Sequence, residues 1–167
     1  MIRAVSIEST LAKVDTDLRE HRDDLARRRL RGLVSSYPTD LTIRRRFAKA
    51  YHDWMHAAQV GRWNFLDDAL TWPELEAFER QFRDPARRLK LLVWPDPERN
   101  PPSTPTARRR LAILHREATG RLPAWSDLPD DGREEILPVP SAPPASDEQL
   151  RELRRRLAAG HLPSTER

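Results

Sequence analysis

The sequence predicts an all-α protein: an antiparallel array of helix hairpins followed by a proline-rich, partly irregular C-terminal extension. Three observations predict it. Apolar residues recur every three or four positions, with no run of period-two alternation. Ten of the eleven aromatic residues lie between Tyr37 and Trp94. Twelve of the fifteen prolines follow Trp94. Each aromatic ring buries a large apolar area, so the core is expected before about residue 94. Proline fixes φ and removes a donor, so regular structure is expected to thin out beyond it. The expected division is a helical domain over 1–94, a linker over 95–104 and an extension over 105–167.

The elements follow in order. Ile7, Leu11, Val14 and Leu18 form one apolar stripe; Ala26, Leu30, Leu33 and Val34 form a second, stopped by Tyr37-Pro38. Asp40 is placed to cap a third helix carrying Phe47, Ala48, Tyr51 and Met55. Val60, Trp63 and Leu66 give a fourth stripe, and Leu75, Phe78 and Phe82 a fifth, opened by a Thr71/Glu74 capping box. Asp84-Pro85 opens a sixth helix with Ala86, Leu89 and Leu92 or Val93. Thr104-Pro105 opens a seventh with Ala107, Leu111, Leu114 and Ala118, which Gly120 ends. Residues 121–145 read as irregular, with Trp125 a candidate to dock on the bundle. Ser146 and Gln149 begin a last helix over about 147–160.

Composition excludes several function classes. Without cysteine there are no disulfides, thiol catalysis or cysteine-held metals. The longest apolar run, Leu91 to Trp94, cannot span a bilayer, and Met1 to Val14 has no signal-peptide apolar core, so a cytoplasmic protein is expected. Basic and acidic residues are nearly balanced along the whole chain: 8 and 6 over 1–36, 11 and 10 over 37–100, and 11 and 10 over 101–167. No segment is a basic domain of the kind that binds nucleic acid by counterion release. The basic side is 27 arginines to 3 lysines, a skew that reads at this level as the mark of a GC-rich genome.

Ala26, Leu30, Leu33 and Pro38, at offsets 0, 4, 7 and 12, resemble the second helix of a tetratricopeptide repeat (TPR). Phe47, Ala48 and Tyr51 fit the first helix of a following repeat, although Arg44 stands where the repeat prefers Trp and Met55-His56 where a Gly-Asp turn is usual. The stretch from Leu30 to Leu41, with Gly61 to Leu66, is also similar to an uncharacterised bacterial family of small helical-repeat-like proteins, a domain of unknown function. That resemblance covers roughly residues 8–93. It implies a TPR-like helical fold and no activity, and the chain after Pro95 falls outside it.

Candidate chemistry is sparse. His52 and His56, at i and i+4, have metal-ligand spacing, but no third ligand is identifiable and a helix–helix turn is expected between them. Asp67-Asp68 with Glu74, Glu76 and Glu79 could serve acid–base chemistry, yet acids before a helix also complement its positive end. Four arginine triplets, at 27–29, 44–46, 108–110 and 154–156, each stand between apolar residues at i and i+4. That spacing predicts inward apolar residues and arginines fanned across the solvated outer half. The expected function is a non-enzymatic module that binds a protein or an acidic peptide through Arg44, Arg45, Tyr51, Arg62 and Trp63. No cofactor or metal is expected. The alternative is a nucleic-acid-associated accessory protein using the arginine-rich faces.

Overall fold

The computed structural model describes residues 6–51 and 56–129. Among them are seven helices and no strand: α1 (Ile7–Arg19), α2 (Asp23–Ser36), α3 (Leu41–Lys49), α4 (Ala57–Asn64), α5 (Trp72–Gln81), α6 (Pro85–Leu91) and α7 (Pro105–Thr119). The expected helix at 147–160 and the triplet at 154–156 lie outside the described residues, as does His52.

Helix starts sit where the caps put them. Asp40 accepts from the Thr42 and Ile43 N–H groups at 2.8 and 3.1 Å. Asp84 accepts from Ala86 N–H, and Thr104 Oγ1 from Ala107 N–H. The Thr71 N–H donates to Glu74 Oε2 at 2.9 Å, one arm of the predicted capping box. Gly120 ends α7 at φ 82°, a left-handed conformation that glycine adopts without strain. The fourth stripe stops short of Leu66, because Arg110 of α7 donates to the Phe65 and Asp67 carbonyls at 3.2 and 2.6 Å. The chain turns there, with Asp67 N–H closing on Asn64 O.

Neighbouring helices pack in sequence: α1 on α2, α2 on α3, α3 on α4, α4 on α5, and α6 on α7. One apolar cluster gathers Val14, Ala26, Leu30, Leu33, Ile43, Phe47 and Trp63. A second gathers Phe65, Leu70, Leu75, Phe78, Leu92 and Trp94 with Ala107, Leu111 and Leu114 of α7. The core therefore runs across the 94/95 line, where the proline content changes. The expected linker over 95–104 is fastened too: Trp94 Nε1 donates to Asn100 O, and Trp125 Nε1 to Pro97 O, at 2.7 and 2.9 Å. Two indoles hold the proline-rich strap, and Trp125 packs on the second cluster as expected.

The α1–α2 hairpin is closed by Asp17, which is buried and accepts from Arg29 Nε and from Nε and Nη2 of Arg22. The Arg29 hydrogen bond is the main force holding its carboxyl below the ordinary range. Where α4 crosses α5 the backbones touch. A Cβ on Gly61 would lie 2.1 Å from Glu74 O. Gly32, on the open side of α2, has nothing within 4 Å of that position.

Two measurements check this architecture. Gly61→Ala is expected to lower stability by about 1–3 kcal/mol or more, since backbone cannot yield as a side chain does. Gly32→Ala is expected to raise stability by about 0.5–1 kcal/mol, the helix-interior preference of alanine. Denaturant midpoints of the two variants read both. A chain ending at residue 99, which lacks α7, is expected to lose the cooperative melting transition by circular dichroism; a sharp residual transition would show that 1–99 folds alone.

Candidate functional site

The C-terminal end of α6 gathers the candidate residues. A helix end leaves carbonyls without intrahelical donors and carries partial negative charge. Here two guanidinium groups supply the donors. Arg62 Nε, from α4, donates to Leu91 O at 2.7 Å. Arg44, from α3, donates through Nη1 to Leu92 O at 2.7 Å and through Nη2 to Val93 O at 3.3 Å. The remaining side of Arg44 is taken by Pro38 O, which accepts from Nε and Nη2 at 3.0 and 2.6 Å. Arg44 is 2% exposed, so its donors are spent inside the fold. Burial is the main cause that lowers its pKa to about 10, with the Arg62 charge adding to it. It remains protonated at neutral pH.

A column of rings and cations grows from this point. The Arg44 guanidinium lies 5.1 Å from the Trp94 ring centre and 5.9 Å from that of Trp63. Trp63 stacks on Phe47 at 4.1 Å, and Phe47 on Tyr51 at 5.7 Å. Arg62 covers Trp63 at 4.5 Å, and Arg27 covers Tyr51 at 5.0 Å while donating to Ala50 O. Such contacts add attraction from the ring quadrupoles to ordinary packing. Trp63 itself is 5% exposed, and its Nε1 finds no acceptor among the described residues, so stacking holds the ring in place. Tyr51 and Arg62 are half-buried, with one side toward solvent. Burial also lowers the Arg62 pKa.

The structure thus brings together four of the five expected residues, Arg44, Tyr51, Arg62 and Trp63, with Arg44 as an internal tie. Arg45 turns elsewhere, donating through Nε to Asp67 Oδ2 at 2.8 Å. It lines a polar cleft of about 390 Å³ with Asp40, Thr42, Asp67, Asp68 and Thr104. His56 opens α4 beside Tyr51, with ring centres 5.8 Å apart. No cluster of three metal-ligating side chains occurs among the described residues.

In two of the three described arginine triplets one member departs from the expected outward fan, while none of Arg27, Arg28 and Arg29 is buried. Arg44 is buried, and so is Arg110 at 3% exposure. Each sits at the margin of an apolar face where loop carbonyls need donors, and that demand draws it inward. Arg88, outside any triplet, behaves alike: it donates to the Phe82 and Arg83 carbonyls and pairs with Glu117. The sequence places Tyr37 as a helix stop and Val93 as an alternative to Leu92 on the apolar face of α6; in the structure they are 43% and 49% exposed, and Leu92 takes the buried position. Val93 has φ 51°, a left-handed conformation that costs a β-branched residue about 1–3 kcal/mol.

A family model matches residues 5–153. The chain belongs to DUF6584, a family of unknown function. The DUF6584 match runs well past residue 93, so the family relationship takes in the proline-rich segment instead of stopping before it. No curated protein and no solved structure matches the chain. Among the described residues, no helix is long and apolar enough to cross a membrane.

Arg44→Met removes the donors to Pro38, Leu92 and Val93. A buried carbonyl left unsatisfied costs roughly 1–3 kcal/mol, so the expected loss of stability is about 3–5 kcal/mol. Arg44→Lys is expected to recover only part, since an ammonium lacks the planar fork. Chemical denaturation of both variants measures the effect, and an unchanged midpoint for Arg44→Met would contradict it.

Proposed function

We propose that the protein is a non-enzymatic scaffold or adaptor that binds another protein, with α1–α4 serving as TPR-like hairpins. One observation carries the reading: a pre-stacked column of rings and arginines ends at the surface in the half-buried side chains of Tyr51 and Arg62. Tyrosine, tryptophan and arginine dominate binding energy at protein interfaces, above all where neighbours already fix their rotamers. Arg62 is locked by Leu91 O and the Trp63 ring, so little side-chain entropy remains to be lost on binding. Stacked helix pairs are commonly used as extended binding surfaces, and that use supports the same reading. A cytoplasmic setting goes with it.

Affinity capture from the source cell, with the full chain and Tyr51→Ala as baits, tests the proposal. The expected outcome is a protein retained by the wild type and lost with Tyr51→Ala, while the variant keeps its melting transition. Titration of labelled single-stranded RNA at two salt concentrations is the counter-test. Binding that weakens steeply with salt, with no protein retained, would replace this reading with nucleic-acid association.

A further inference from the structure

Acidic and basic residues are nearly balanced in each of the segments 1–36, 37–100 and 101–167, but not in space. Three of the stretches without an acidic residue are 25–39, with Arg27, Arg28, Arg29 and Arg31; 54–66, with Arg62; and 85–95, with Arg87, Arg88 and Lys90. The first covers most of α2, the second spans α4, and the third is α6 with its C-terminal turn. The second and third meet where Arg62 of α4 donates to Leu91 O at the end of α6, and the first joins them through Leu30, Leu33 and Val34, which share an apolar cluster with Trp63. Arg31, exposed on α2, adds repulsion at the Arg62 guanidinium.

Several of the protein's other arginines are matched with carboxylates, although Arg28, Arg83, Arg87 and Arg108 have no such partner among the described residues. Asp17 takes Arg22 and Arg29, Asp24 takes Arg27, Asp15 takes Arg46, Asp67 takes Arg45, and Glu117 takes Arg88. Arg31 and Arg62 have no carboxylate partner among the described residues, and Arg44 behind them is held by carbonyls alone. Beside this uncompensated charge stand two exposed apolar side chains. The Tyr37-Pro38 and Val93 backbones come within reach of one nitrogen, Arg44 Nη2, which donates to both Pro38 O and Val93 O. Val93 keeps an exposed aliphatic side chain at a left-handed position that glycine or asparagine occupies with less strain.

From this we infer that the face formed by the second half of α2, α4 and the end of α6 docks a polypeptide segment. The segment brings a carboxylate to Arg31 and Arg62 and an apolar side chain to Tyr37 and Val93. The inference rests on the protein-binding reading and specifies the partner's chemistry. Charge complementarity selects the acid, because a partner carboxylate supplies what the fold gives Arg22, Arg27, Arg29, Arg45, Arg46 and Arg88. The apolar neighbours favour a protein segment over a phosphate backbone, which has nothing to place against an aliphatic valine.

The test uses the full chain and arrays of short peptides with Glu and Leu at helical spacing, beside the same arrays carrying Gln or Lys in place of Glu. Arg31→Glu and Val93→Gly are the variants; neither removes a hydrogen bond that holds the fold, and melting curves check that. The expected result is binding of Glu peptides, about tenfold weaker for the Gln series and for Arg31→Glu. Arg31→Glu is further expected to prefer the Lys series, and Val93→Gly to bind more weakly with an equal or higher Tm. Peptides that bind wild type and Arg31→Glu alike would overturn this surface while leaving the protein-binding reading standing. If no peptide binds the folded protein but RNA does, and Arg31→Glu abolishes the RNA binding, both readings fall.

Discussion

Everything around the end of α6 depends on a positive charge being held out of water by main-chain carbonyls. Arg44 has no carboxylate, so its burial is offset only by the oxygens of Pro38, Leu92 and Val93 and by the ring faces of Trp63 and Trp94. Those oxygens belong to the α2–α3 turn and to the turn leaving α6, segments more than fifty residues apart in sequence. A single planar fork therefore fixes three helices relative to one another. Arg110 and Arg88 repeat the device at the α4–α5 loop and the end of α5. Guanidinium presents five donors in fixed directions, whereas a lysine ammonium presents a mobile point charge. At these three positions arginine has a structural use that lysine would not serve.

The helices were legible in the sequence because their causes are local. Period, caps and stop signals lie within a few residues of each boundary, and Asp40, Asp84, Thr104 and Gly120 act where they stand. The inward turn of Arg44 and Arg110 was not legible. Within an arginine triplet only the three-dimensional position of distant carbonyls decides which side chain is drawn in, and no short window contains that information. The prolines misled for a related reason. They do break regular structure after Trp94, but an irregular strap can still be fixed by two indole N–H groups and a continuous apolar core. At the site, Tyr51, Trp63 and Arg62 were visible as residue types in a helical pattern. The exposure of Tyr37 and Val93 was not, because it is a property of packing beside a strained turn.

Charge shows the same separation between chain and fold. Near-balance within each of the segments 1–36, 37–100 and 101–167 hides acid-free stretches, three of which the fold brings together. Net charge says little about such a surface, which is defined by which cations the fold leaves without an acid.

Gly61 has a mechanical consequence. At most helix crossings a layer of side chains lies between the backbones and deforms a little under load. At the α4–α5 crossing that layer is missing, because the glycine lets main chain rest on main chain beside Glu74. Trp63, two residues along the same helix, belongs to the first apolar cluster, while Phe78 beneath Gly61 belongs to the second. Short and stiff, α4 couples the two halves of the core as a rigid strut, so a force applied at Arg62 reaches α5 with almost no compliance between them.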